Sequence, residues 1–132
     1  MSGSRRANAP PPGRKVPDYN HRTRIPAWAI RDLVDRIAAR FKPQKIILFG
    51  SYARGDFTRD SDVDLLIVME TRGRHRPSLA IRRQVPIEFG VDLIVLSEAQ
   101  LRRRLKAGDF FLQEAIEQGK TMYEAGDEAV DR

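Results

Sequence analysis

Ile30, Leu33, Val34, Ile37, Ala38 and Phe41 recur at three- and four-residue spacing. That period predicts an amphipathic helix of about four turns, with Arg31, Asp32, Asp35, Arg36 and Arg40 on its outer side. Pro26 suits a first helical position, and Pro43 ends the run. The period then changes. Residues 45–49, 63–69 and 91–96 are short apolar runs rich in β-branched side chains. Their length and continuity predict three strands, the first two buried and the second apolar on both faces. Gly50-Ser51 breaks the first run, and Ser51 to Arg54 fits one helical turn before Gly55. A polar loop over 55–61 and a basic loop over 71–78 flank the second strand. Residues 78–84 read as a helix, and Val85 to Glu88 as a short strand piece before Gly90.

Ser97-Glu98 starts a helix that carries Leu101 and Leu105 and stops at Gly108. Asp109 caps another, with Phe111, Leu112, Ala115 and Ile116 on one face and Gly119 at its end. Thr121-Met122-Tyr123 reads as a short terminal strand, and 126–132 as frayed. Trp28 reads as a core anchor and Arg102-Arg103-Arg104 as an exposed face. No internal repeat is visible.

Composition sharpens this picture in one place. The chain has 132 residues, is 41% apolar and carries a net charge of +6. That length fits one domain. Most of the charge belongs to residues 1–24, where six basic side chains meet the single acid Asp18. This leader holds Pro10, Pro11, Pro12 and Pro17 and few apolar residues. It buries too little surface to offset ordering entropy and reads as a disordered tail ahead of a domain over 25–125. A basic tail can touch acidic surfaces, but direct contact with nucleic acid is not expected. The absence of cysteine excludes disulfides, thiolate zinc sites and cysteine nucleophiles. No run is long enough to span a bilayer and no secretory signal stands out, so a cytoplasmic setting is expected.

The candidate chemistry lies at the ends of the predicted strands. Asp62 and Asp64 open the second strand, and Asp92 opens the third. Carboxylates are poor strand formers and costly beside a core. Asp62 and Asp64 point to one face, about 7 Å apart along the backbone. If the third strand pairs beside the second, Asp92 joins them. Like charges so close raise one another's pKa unless a cation neutralises them. Two magnesium ions about 4 Å apart would do so and would grip a triphosphate. Three carboxylates without histidine suit magnesium, which binds through a few carboxylates and substrate phosphates. Gly50-Ser51, between a strand and a helical turn, offers a phosphate cradle of exposed amides and one hydroxyl. Cradle and carboxylates together describe phosphoryl or nucleotidyl transfer. His75, among arginines, is a poor metal ligand and reads as solvated. His21 in the tail supports no role.

Leu48-Phe49-Gly50-Ser51-Tyr52-Ala53-Arg54-Gly55 and Ser61-Asp62-Val63-Asp64-Leu65-Leu66, with Asp92 on a later strand, resemble the signature of the DNA polymerase beta-like nucleotidyltransferase superfamily. The tighter likeness is to its minimal nucleotidyltransferases, small proteins often paired with HEPN-domain toxins. It covers roughly residues 27–124. The resemblance implies an α/β (α+β) fold with a small mixed β-sheet flanked by helices. It implies two-metal chemistry with Mg2+, or Mn2+ in its place, and ATP or another nucleoside triphosphate as donor. It makes Asp62, Asp64 and Asp92 metal ligands and catalytic residues, with Asp92 also the activator of the acceptor hydroxyl. Gly50, Ser51, Arg54 and Ser61 would bind the nucleotide. The basic tail departs from the family pattern.

The function so implied is magnesium-dependent transfer of a nucleoside monophosphate, AMP foremost, to a hydroxyl. The chain has no room for a second substrate domain, so a partner HEPN-type toxin would present that hydroxyl, giving an antitoxin role. Two other readings stay open: a non-catalytic antitoxin that masks its partner by contact, and a small-molecule transferase of the aminosugar type.

Overall fold

The computed structural model describes residues 24–125. The tail expected over 1–24, save Arg24, and the fraying expected over 126–132 lie outside the described residues. Helix α1 (Ala27–Phe41) leads into strand β1 (Lys45–Phe49), the short helix α2 (Ser51–Arg54) and strand β2 (Val63–Val68). Helix α3 (Pro77–Gln84), strand β3 (Val91–Leu96), helices α4 (Glu98–Lys106) and α5 (Phe110–Gln118) and strand β4 (Lys120–Glu124) follow.

The four strands form one sheet in the order β3-β2-β1-β4. β1 runs antiparallel to both β2 and β4, whereas β2 and β3 are parallel. The sheet is therefore mixed, as the resemblance implies. Its two inner strands explain the continuous apolar runs, because both of their faces are covered. Ile46, Leu48, Val63, Leu65 and Ile67 pack under α1 and α3, against Leu33, Val34, Ile37 and Ile81. Ile47, Phe49, Leu66 and Val68 face the other way, against Leu112 and Ala115 of α5.

The helix ends follow the local chemistry. Ser97 and Gln100 form a reciprocal capping box on α4: the Gln100 amide donates to Ser97 Oγ (3.1 Å), and the Ser97 amide donates to Gln100 Oε1 (2.8 Å). Asp109 Oδ1 accepts from the Leu112 amide at the start of α5 (3.1 Å). Arg31 ties α1 to β4, donating to the Met122 carbonyl (2.8 Å). Trp28 is half-buried against the core, and Arg102 to Arg104 and His75 are exposed, as expected.

Two expectations change. Val85 to Glu88 is not a strand but an irregular connection. Pro86 has no amide to give a ladder, and its carbonyl is taken by the Arg36 guanidinium (2.6 Å). Phe111 does not join the buried face of α5; it is 57% exposed, while Leu112 and Ala115 are buried.

Candidate active site

Phe49 stands opposite Asp64, and Asp64 opposite Asp92, in the strand register. Residues in one such row project to one face. This row therefore lies on the face that α5 covers lower down, where the buried apolar side chains give way to two carboxylates. The parallel pairing of β2 with β3 meets the condition on which Asp92 was expected to join the cluster. Asp62 lies two residues before Asp64, just ahead of β2, with its carboxylate against Gly90 and outside the cavity that Asp64 and Asp92 line. A side chain at position 90 would run into the Asp62 carboxylate.

An open cavity of about 200 Å³ lies over the row. Gly50, Arg54, Asp64 and Asp92 line one part of it, and Phe111, Glu114 and Gln118 of α5 line another. The structure thus brings together four of the sequence-expected residues. Ser51 opens α2 but does not line the cavity. Ser61 Oγ accepts from the Thr58 amide (2.8 Å), closing the loop before β2.

Gly50 has φ +76° and ψ −157°, a conformation that glycine alone adopts freely. A Cβ there would collide with Oδ2 of Asp64. The glycine therefore makes room for a carboxylate, in addition to the phosphate that its position after β1 suggests. Arg54, at the end of the same turn, pairs with Asp56 (3.2 Å) while lining the cavity.

The carboxylates strain one another. The Asp64 carboxyl is pushed up from 3.8 to about 6, first by burial, then by the charges of Asp92 and Asp62. Hydrogen bonding to Asp92 adds to the rise, and the Arg54 guanidinium opposes it. Among the described residues no group of three His, Cys, Asp or Glu side chains is arranged to hold a metal ion as it stands. The donor chemistry still fits magnesium. That ion is commonly held by one or two carboxylates and completed by phosphate oxygens and water, and the Asp64–Asp92 pair offers all-oxygen ligands beside open space.

Sequence reasoning missed the α5 wall. Positions 111, 114, 115 and 118 share one helical face by their spacing. Glu114 and Gln118 on that face were the available signal.

The profile of the Nucleotidyltransferase domain family matches residues 30–123. A relative from Methanocaldococcus jannaschii, provisionally named a protein adenylyltransferase, is 32% identical over 97 residues, spanning 72% of this chain and 95% of that one. A second protein of that organism, with the same provisional name, is 59% identical over 29 residues, 22% of this chain and 29% of its own length. Among solved structures, a provisionally named nucleotidyltransferase of Sulfolobus solfataricus is 29% identical, with a TM-score of 0.45 over 57% of this chain and 69% of that one. A toxin–antitoxin structure with AMP-PNP is 24% identical, with a TM-score of 0.47 over 71% and 73%.

Proposed function

Because this chain belongs to the nucleotidyltransferase domain family, we propose that it transfers AMP from ATP to a hydroxyl of a partner protein in a magnesium-dependent reaction. The observation that carries this reading is the cavity in which Gly50, Arg54, Asp64 and Asp92 converge, with Asp64 held as a strained acid. A carboxylate so destabilised is suited to a cationic ligand. The provisional name of the relative that matches along 95% of its length supports adenylyl as the group and protein as the acceptor.

Asp62, Asp64 and Asp92 would hold Mg2+, or Mn2+ in its place. Bound there, the metal would neutralise charge on the triphosphate oxygens and leave the phosphorus under attack more electrophilic. Gly50 keeps the floor of the site free of side chain, and Arg54 adds positive charge beside the phosphates. Asp92 is exposed at the start of the edge strand. From there it would accept the proton of the incoming hydroxyl, whose oxygen bonds to the α-phosphorus as the α–β phosphoanhydride bond breaks and pyrophosphate leaves. The cavity of about 200 Å³ falls below the range of about 300–1,000 Å³ usual for small-ligand pockets. It has no space to enclose both donor and acceptor, which supports an acceptor that brings its own surface. The likeness of the Gly50 and Asp62 segments to minimal nucleotidyltransferases supports a HEPN-type toxin as that partner and an antitoxin role. No helix among the described residues is long and apolar enough to cross a membrane, in keeping with a proposed cytoplasmic setting.

Intact-mass spectrometry of a co-purified partner, after incubation with ATP and magnesium, tests the reading. The partner should gain nucleotide mass with the wild-type protein and none with Asp62→Ala/Asp64→Ala. Neutralisation of the partner by that double variant, without any mass gain, would instead establish masking by contact.

A further inference from the structure

The α5 wall of the cavity has a chemistry unlike the rest. Its side chains there are Phe111, Glu114, Ala115 and Gln118, and the helix Phe110–Gln118 contains no lysine or arginine. Such a wall is unsuited to phosphate, because it offers a carboxylate and no cation. Glu114 belongs to α5, whereas Asp64 and Asp92 of the same cavity belong to β2 and β3. Phe111 packs against Phe49 in an edge-to-face contact, with centroids 5.6 Å apart and planes at 86°. That contact fixes the ring at the rim while leaving it 57% exposed.

We propose that α5 is the nucleobase-reading wall of the site: Phe111 stacks on the base, and Glu114 accepts a hydrogen bond from an exocyclic amine. This rests on the nucleotidyl-transfer reading above and extends it to base selection. If the triphosphate lies between Gly50, Arg54 and the carboxylates, the nucleoside end has the α5 side open to it. An exposed aromatic ring is a stacking platform for any base. A carboxylate is acceptor-only, so it favours a base with an amino group at the contacted edge and repels a carbonyl there. Adenine has that amino group, whereas hypoxanthine carries a carbonyl in its place. Gln118 presents both a donor and an acceptor beside them.

Calorimetric titration of the full chain with ATP, ITP and tripolyphosphate, each with magnesium, tests this. The wild-type protein should bind ATP about tenfold more tightly than ITP, the worth of one well-placed hydrogen bond against a repelled carbonyl. Phe111→Ala should weaken ATP and ITP alike by about tenfold, the loss of a stacked ring, and leave tripolyphosphate binding unchanged. Glu114→Gln should narrow the ATP-to-ITP ratio, because an amide can also donate to the carbonyl. Glu114 is exposed, so Glu114→Gln should retain the wild-type melting temperature, whereas Phe111→Ala loses its contact with Phe49 and should melt slightly lower, with unchanged tripolyphosphate binding as its folding control. Unchanged ATP affinity in Phe111→Ala, or an unchanged ATP-to-ITP ratio in Glu114→Gln, overturns the proposal. Equal wild-type affinity for ATP and tripolyphosphate also overturns it but leaves nucleotidyl transfer standing. If the wild-type protein binds neither, both readings fall.

Discussion

Replacing Asp64 with Asn should make the metal-free protein more stable. The Asp64 carboxyl is raised from 3.8 to about 6, a shift of about 2 units. At about 1.4 kcal/mol per unit this is a ceiling near 3 kcal/mol. Asp64 is half-buried, so solvent screening reduces the usable part to about 1 kcal/mol. The sign follows from proton linkage. In the folded protein Asp64 holds its proton more tightly than in the unfolded chain. Its favourable contribution is full below pH 3.8 and is lost as the pH rises through about 6. Asparagine is nearly isosteric, clears Gly50 equally well and never acquires the charge. Thermal melts in a chelator, from pH 4 to 7.5, should show the two proteins together at the acid end. The variant should gain a lead of about 4 °C above pH 6, the shift expected for about 1 kcal/mol in a domain of about 100 residues. Adding magnesium and ATP should reverse the order, because ligand binding stabilises only the wild type. A variant no more stable than wild type at pH 7, with a pH-independent difference, would refute the claim that Asp64 is strained.

Three further perturbations probe the neighbours. Gly50→Ala should cost about 1–3 kcal/mol of stability and displace the Asp64 carboxylate, seen as a lowered melting temperature together with lost nucleotide binding. Arg54→Ala removes a charge that lowers Asp64, so the Asp64 titration followed by carboxyl NMR should move to higher pH. Ser61→Ala should weaken ATP binding by about 1 kcal/mol, because the hydroxyl that accepts from the Thr58 amide keeps its own proton to donate to a phosphate; unchanged affinity in calorimetry would leave Ser61 a loop-closing residue alone.

The parts of the site that could be read from the sequence are those written in short strings. Gly50, Arg54, Asp62 and Asp64 sit within a few residues of a strand end, where local pattern constrains the backbone. Asp92 could be placed only on condition that β3 lies beside β2, and the parallel register of Asp64 with Asp92 meets that condition. The antiparallel pairing that sets Phe49 opposite Asp64 is a tertiary choice with no local signature. Glu114 and Gln118 were hidden for a different reason. A polar residue on an amphipathic helix looks the same whether it meets bulk water or a cavity. Val85 to Glu88 has β-branched residues that suggest a strand, but a proline and a captured carbonyl remove it from the ladder.

The place of β4 in the sheet bears on how the protein is made. β1 is an inner strand, yet one of its two neighbours, Lys120–Glu124, comes more than seventy residues later in the chain. On the ribosome β1 can pair with β2 early and must then wait for β4 with one edge bare. Pairings so distant in sequence are slow to close, and an unpaired apolar edge is a template for pairing with other chains. Emergence of the last strand is therefore the step at which the nascent protein passes from aggregation-prone to self-contained. A stop codon placed just before Lys120 should give a product that aggregates, even though every carboxylate of the candidate site has already been translated.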